Sequence, residues 1–292
     1  MTLKQRTVRA NGLDFPVLEA GDGPLVLCLH GFPDHARSWT DLIERLAKEG
    51  YRAVAPAMRG YWPDGRAPNG CYQSWATGGD AVALIEALGS ETAIVIGHDW
   101  GAAAAYAAAN LAPERIDKLV TMAVPYGPQI RAAFMLDGDQ QRRSWYMFFF
   151  QTPMAVMAAG ANDFAFIDRL WAEWSPGYVL PDADRVALKA MFAQPGVLEE
   201  TLGYYRQLFG GPEVKPEWAE AAAKLGDPIS MPSLYLHGRN DGCMGVGLLD
   251  GMENQFPAGL RKVVMEDAGH FLQLEQPERV AEEIIGFLKV GN

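Results

Sequence analysis

Two aspartates and a histidine in this chain have the types and the spacing to run a two-step displacement: Asp99 in GHDWGA (97–102), Asp241 in HGRNDG (237–242) and His270 in DAGHF (267–271). Asp99 follows the apolar run AIVI and precedes the alanine-rich AAAYAAANLA, with Gly97 two residues before it and Gly101 two after. That is a small-x-nucleophile-x-small pattern between a strand and a helix, where a sharp turn needs glycine-like neighbours and lifts the central side chain above the sheet. The helix N-terminus beneath favours its negative charge. A plain aspartate N-cap would leave the same trace, and the two readings are compatible. A carboxylate nucleophile attacks saturated carbon and forms an alkyl ester of the protein. A histidine then activates water to hydrolyse the ester, and a second acid orients the imidazole. The implied substrate carries an electrophilic saturated carbon, in an epoxide or an alkyl halide. Asp267 and Glu266 compete with Asp241 as the acid but sit very close to His270 in sequence.

The elements that must place these residues read as alternating strands and helices. PLVLCLH (24–30), YRAVAP (51–56), AIVIG (93–97), KLVTMAV (118–124), PSLYLHG (232–238) and RKVVME (261–266) are apolar runs expected to be strands buried on both faces. Between them, SWTDLIERLAKEG is expected to be a helix capped by Ser38 and stopped by Gly50, DAVALIEALG one that ends on Gly89, and AAAAYAAANL one rich in the best helix former. The alternation predicts a mostly parallel, doubly wound α/β sheet. TVRANGLDFPVLEAG carries Asn-Gly between strand-like runs, the signal of a hairpin at an antiparallel edge. From about Tyr126 to Met231 helix signals replace strand signals, with Trp145, Trp171, Trp174 and YMFFF (146–150) inside. An insertion between parallel strands leaves from the carboxyl edge, where open α/β sheets bind ligands. The expected organisation is a core of residues 1–126 and 231–292 with a helical lid, or cap, of 127–230.

Composition narrows the partners. Thirty-six acidic against 25 basic residues leave a formal net charge of −11, which repels nucleic acid and anionic membranes. No run approaches the roughly 18 apolar residues of a membrane span, and the N-terminus lacks an apolar signal region, so a cytosolic protein is expected. Cys28, Cys71 and Cys243 show neither CxxC nor metal spacing and fit reduced thiols. No ligand cluster stands out, so neither metal nor cofactor is expected. His35, His98 and His237 read as structural, with His98 lining the turn at Asp99. His30-Gly31-Phe32-Pro33 follows its strand so that a backbone N–H can point at the same turn. With the N–H of Trp100, that of Phe32 would complete an oxyanion hole.

The set HGFP, GHDWGA, Asp241 and His270, in this chain order, resembles the epoxide hydrolase branch of the α/β-hydrolase superfamily over essentially the whole chain. The resemblance implies an α/β-hydrolase fold with a helical cap, Asp99 as nucleophile, Asp241 and His270 as acid and base, and two cap tyrosines that donate protons to the epoxide oxygen. Tyr146 in WYMFFFQTP and Tyr205 in GYYRQLF are similar to those tyrosines; the loop RGYWPDGRAPNG (59–70) departs from the family's tighter glycine and serine pattern. Helical periodicity places Leu198, Thr201 or Leu202, Tyr205, Leu208 and Phe209 on one face, directing Tyr205 to core or pocket and Tyr204 elsewhere. YMFFF has no readable period, so a core role for Tyr146 stays open. Trp100, Phe32, Met147, Phe148 and Phe149 would line a pocket for a small apolar epoxide, which reacts with water. Haloalkane dehalogenation, by the same aspartate, is the alternative. Phe32 stands where such enzymes use a halide-holding Asn, and Trp100 where fluoroacetate-type dehalogenases use arginine. A binding protein on this fold would be expected to lose triad residues, and all are present. Nothing in the sequence separates a monomer from a homodimer.

Overall fold

In the computed structural model, which describes residues 3–210, 216 and 219–290, the apolar runs pair into one sheet of eight strands ordered β1-β2-β4-β3-β5-β6-β7-β8. β1 (Lys4–Ala10) and β2 (Leu13–Ala20) form the expected hairpin, and β2 pairs antiparallel with β4 (Arg52–Pro56). β3 (Leu25–Leu29), β5 (Ala93–His98), β6 (Ile116–Met122), β7 (Ser233–Gly238) and β8 (Leu260–Met265) continue the sheet in parallel from β4. Because side chains alternate, β3 sends Leu25, Leu27 and Leu29 into one core and Val26 and Cys28 into the other. Both faces of the central strands are therefore apolar, whereas β8, expected to be buried on both faces, is an edge strand with Arg261 and Lys262 exposed because no further strand covers it.

On one face lie α2 (Ser74–Ala87) and α3 (Trp100–Leu111), on the other α1 (Thr40–Lys48) and the last helix, α11 (Pro277–Lys289). The alanines of α3 let it sit close to α2: a Cβ added at Gly78 of α2 would fall 2.6 Å from that of Ala107. Ser38 is not the N-cap expected for α1. Its hydroxyl donates to the His35 carbonyl (2.9 Å) inside a short 3-10 turn, and the helix starts two residues later from Trp39 without a side-chain cap. A local serine-to-backbone bond has outcompeted the cap.

The insertion is helical, and among the described residues it contains no strand. It comprises α4 (Gln129–Leu136), α5 (Gly138–Arg143), α6 (Trp145–Phe149), α7 (Ala155–Trp174), α8 (Asp182–Phe192), α9 (Val197–Gly210) and α10 (Ala219–Lys224). α7 is broken at Ala161–Phe164, where Asn162, Asp163 and Phe164 take left-handed values. The insertion leaves the sheet after the carboxyl end of β6, beside the end of β5 and thus beside Asp99. No helix of the described residues is long and apolar enough to cross a membrane.

Candidate active site

Asp99 occupies the turn between β5 and α3 with φ 53° and ψ −121°. For a residue with a side chain this conformation is strained by roughly 1–3 kcal/mol, and the surrounding packing enforces it. Gly97 and Gly101 are required by close approach: a Cβ on Gly97 would collide with the Gly101 carbonyl, and one on Gly101 with the Leu29 carbonyl. The backbone N–H of Phe32 donates to Asp99 Oδ1 at 2.7 Å. The turn that carries Phe32 is fixed by His30, whose Nδ1 donates to the Gly31 carbonyl (3.0 Å) and whose Nε2 accepts from Met58 N–H (3.0 Å). Burial, first of all, pushes the His30 pKa down to about 3, as suits this neutral, structural imidazole.

Asp241 lies just past β7 and His270 just past β8, and the two meet: His270 Nδ1 donates to Asp241 Oδ2 at 2.9 Å. The other oxygen, Oδ1, accepts from the N–H groups of Cys243 (2.7 Å) and Met244 (2.8 Å). His270 Nε2, fully buried, faces Asp99 Oδ2 at 3.6 Å. Burial works to lower the His270 pKa, but Asp241, by charge and hydrogen bond, and then Asp99 outweigh it and raise the value to about 10. Burial likewise works to raise the Asp241 pKa, and the facing His270 reverses it, holding the acid below the usual carboxylate range. The competing Glu266 is exposed and paired with Arg239 (2.7 Å), away from the imidazole.

Two of the remaining histidines, His98 and His237, hold backbone in place. His98 Nε2 donates to the His270 carbonyl (2.9 Å), and burial lowers its pKa to about 4. His237 donates to the Met244 carbonyl (3.0 Å) and accepts from Tyr235 (2.7 Å), while His35 lines a different cavity. This use of His98, to hold the backbone of His270, has no signal in sequence.

A cavity of about 680 Å³ opens over Asp99, with Trp100, Met147, Tyr205 and Cys243 in its wall. Tyr205 is buried, its ring edge-on to Phe32 (5.3 Å) and Trp100 (5.0 Å). Its hydroxyl forms no well-aligned hydrogen bond in the structure, and the Trp100 indole is its polar neighbour. Tyr146 packs edge-on to Tyr205 (5.5 Å) but lies behind the cavity wall, where its hydroxyl meets Cys243 Sγ at 3.2 Å. Burial, reinforced by neighbouring charges that include Asp99, raises both phenols well above their ordinary pKa, so both keep their protons. Tyr204 points away, donating to the Arg59 carbonyl at 2.9 Å.

Three residues expected to line the pocket, Phe32, Phe148 and Phe149, are not in its wall. Phe148 is 46% exposed and stacks on Phe209; Phe149 is half-buried against Trp145 and Phe166. A five-residue helix presents only part of its circumference inward, and in α6 that part is Tyr146 and Met147. Phe32 too lies beneath the surface, fully buried against Tyr205, Phe150 and Phe192, and contributes its backbone N–H. Cys243 was missed because only the curl of the loop after Asp241 brings its thiol to Tyr146.

Among the described residues, one group could hold a metal: Asp241, Cys243 and His270, with donor atoms within 4.8 Å of one another. The imidazole and carboxylate there already bond each other, and burial pushes the thiol well up, so the proton-bearing donor set suits a hydrogen-bonded triad better than a metal. The departing loop 59–70 is anchored by Arg59, which is buried in an ion pair with Asp80 (2.5 Å) and donates to the Cys71 carbonyl (2.6 Å).

Residues 24–277 match the family model described as alpha/beta hydrolase fold. The AB hydrolase superfamily protein YfhM of Bacillus subtilis is 31% identical, over 98% of this chain and 98% of that protein. An epoxide hydrolase of Caballeronia sordidicola is 30% identical, over 98% of this chain and 94% of its own. Among solved structures, an epoxide hydrolase from Vigna radiata superimposes with a TM-score of 0.82 at 30% identity, covering 98% of both chains. Epoxide hydrolase A from Mycobacterium thermoresistibile gives 0.81 at 28% identity, covering 99% of both.

Proposed function

The chain belongs to the alpha/beta-hydrolase fold family and, within it, to the epoxide hydrolases, and on that premise we propose that it opens a small apolar epoxide to a vicinal diol through an ester on Asp99. One observation carries this reading. The protonated Tyr205 hydroxyl, without a well-formed hydrogen bond, shares a cavity with the Asp99 carboxylate, whose far side faces His270 Nε2. Asp99 attacks a ring carbon, the carbon–oxygen bond breaks, and the electron pair goes to the ring oxygen, which takes a proton from Tyr205, assisted by Tyr146. An alkoxide in a dry pocket needs such donors.

The second step follows from the charges. The ester is neutral, so alkylation removes one of the two negative groups that raise the His270 pKa and eases loss of its proton, which restores the Tyr205 phenolate left by the first step. The neutral imidazole, held by Asp241, then takes a proton from water as the water attacks the ester carbonyl. The oxyanion falls to the N–H groups of Phe32 and Trp100. Its collapse expels the diol oxygen, which recovers the proton from His270, and the water proton left on the Asp99 carboxyl then passes to the imidazole, restoring the starting charges. The cap of residues 127–230 supplies both tyrosines and closes the cavity over a core of 1–126 and 231–292. No metal or cofactor takes part in this sequence, and a cytosolic enzyme working as monomer or homodimer would serve.

Single turnover in heavy-oxygen water tests the reading: the label should enter Asp99, because the diol oxygen comes from the carboxylate. Label found in the diol alone would contradict the ester. His270→Gln should accumulate a species heavier by one substrate. Haloalkane dehalogenation remains the second reading, favoured by the buried Trp100 indole N–H, which makes no well-aligned hydrogen bond and could hold a departing halide. Halide release faster than epoxide opening would establish it instead.

A further inference from the structure

The insertion does more than roof the cavity, because the end of α7 is built into the loops that carry Asp241 and His270. The Trp174 carbonyl accepts from Gly242 N–H (3.0 Å) in one loop and from His270 N–H (3.1 Å) in the other. The next residue, Ser175, is fully buried, and its hydroxyl accepts from the N–H groups of His270 (3.0 Å) and Phe271 (3.2 Å). That hydroxyl donates to Glu275 Oε1 at 2.6 Å, and Glu275 Oε2 accepts from Gly269 N–H at 2.7 Å. Both loops leave room at this point. A Cβ on Gly242 would run into the Glu173 carbonyl, and one on Gly269 would stand 2.6 Å from the Ser175 Cα. The Trp174 ring also packs edge-on to the imidazole at 5.0 Å.

His270 is therefore gripped at three points. Asp241 holds its side chain, His98 its carbonyl, and Ser175 with Trp174 its N–H. The first two grips come from the sheet. The third comes from the insertion and is completed by the Glu275 carboxylate, whose two oxygens brace Ser175 and the peptide just before His270.

We propose that Ser175 and Glu275 are positioning residues that aim His270 at the ester, so that the insertion sets the rate of the second step. This rests on the reading of His270 as the base that activates water. The first step needs Asp99 and the tyrosines, whereas the second needs Nε2 at a set distance and angle from water and the ester carbonyl. A misplacement of about 1 Å costs on the order of a hundredfold in such a step.

The test follows the two steps separately, using styrene oxide, the full chain, and rapid quench with intact-mass detection. In Ser175→Ala and Glu275→Ala, alkylation of Asp99 should stay within about threefold of wild type while ester hydrolysis slows by about tenfold or more, so that the ester accumulates. Glu275→Gln should fall between, because its amide oxygen still accepts from Gly269. Where Ser175→Ala fails to fold, Glu275→Gln decides, since it keeps size and shape. A purely structural role would lower melting temperature and slow both steps in proportion; that result, or hydrolysis at the wild-type rate, overturns the proposal. If neither wild type nor His270→Gln forms any ester, the reaction itself has been misread and this role falls with it. If ester forms and clears normally in every variant, only the positioning role falls.

Discussion

The two halves of the site are held by different physics. On the sheet side, Asp99, Asp241 and His270 sit at strand ends and are fixed by backbone. A strained φ, glycines in contact with carbonyls and N–H donors leave little freedom. On the insertion side, Tyr146 and Tyr205 are fixed by aromatic packing against each other, Phe32, Phe150 and Trp174. Backbone-fixed groups tolerate almost no change in residue type, whereas packed rings tolerate a change that conserves volume. The sheet side should therefore govern whether the reaction occurs, and the insertion side how fast it starts and on what.

Removing the nucleophile breaks the comparison most severely. Asp99→Ala should lower turnover by at least about four orders of magnitude while the fold persists, with steady-state kinetics and circular dichroism as the measures. Substantial residual epoxide opening would move the chemistry to the insertion. Next come the tyrosines: Tyr205→Phe should slow alkylation by roughly two to three orders of magnitude, the scale of losing one oxyanion donor. Tyr146→Phe should cost less, because its hydroxyl is shared with Cys243 behind the cavity wall. Tryptophan fluorescence after rapid mixing with epoxide follows this step, and equal losses would show that Tyr146 reaches the substrate directly.

A smaller effect reads the charge balance of the sheet side through pH. The His270 pKa is raised from the ordinary value of about 6.5 to about 10, so its protonated form stabilises the fold fully below about pH 6.5. That stabilisation fades as pH rises through about 10. Melting curves should show the wild type losing its advantage over His270→Gln across this window. A gap that stays constant with pH would mean that the native imidazole has no raised affinity for its proton. The smallest effect is expected at Phe148→Ser, within about twofold of wild type in every rate, because an exposed ring outside the cavity is an ordinary surface position. Met147→Ala, in the wall, should instead raise KM for apolar epoxides.

Legibility followed the same division. The elbow at Asp99 could be read because its requirements are local: small residues at fixed offsets between a strand run and a helix run. The central strands could be read because both faces are covered and their composition says so. The cap of α1 could not, since Ser38 had a choice of partners that composition does not rank. The inward face of α6 could not either, because five consecutive large side chains carry no period.

The sequence by itself determined the sheet, the helical insertion and the chain order of Asp99, Asp241 and His270, because short-range steric and hydrophobic demands leave a one-dimensional trace. Only the tertiary structure decided that His98 holds the His270 carbonyl, that the Cys243 thiol meets Tyr146, and that Ser175 and Glu275 grip the loop before His270. Those contacts join residues 97 to 172 positions apart, except within the last loop, and a hydrogen bond between distant positions constrains neither neighbour's type strongly enough to leave a pattern along the chain.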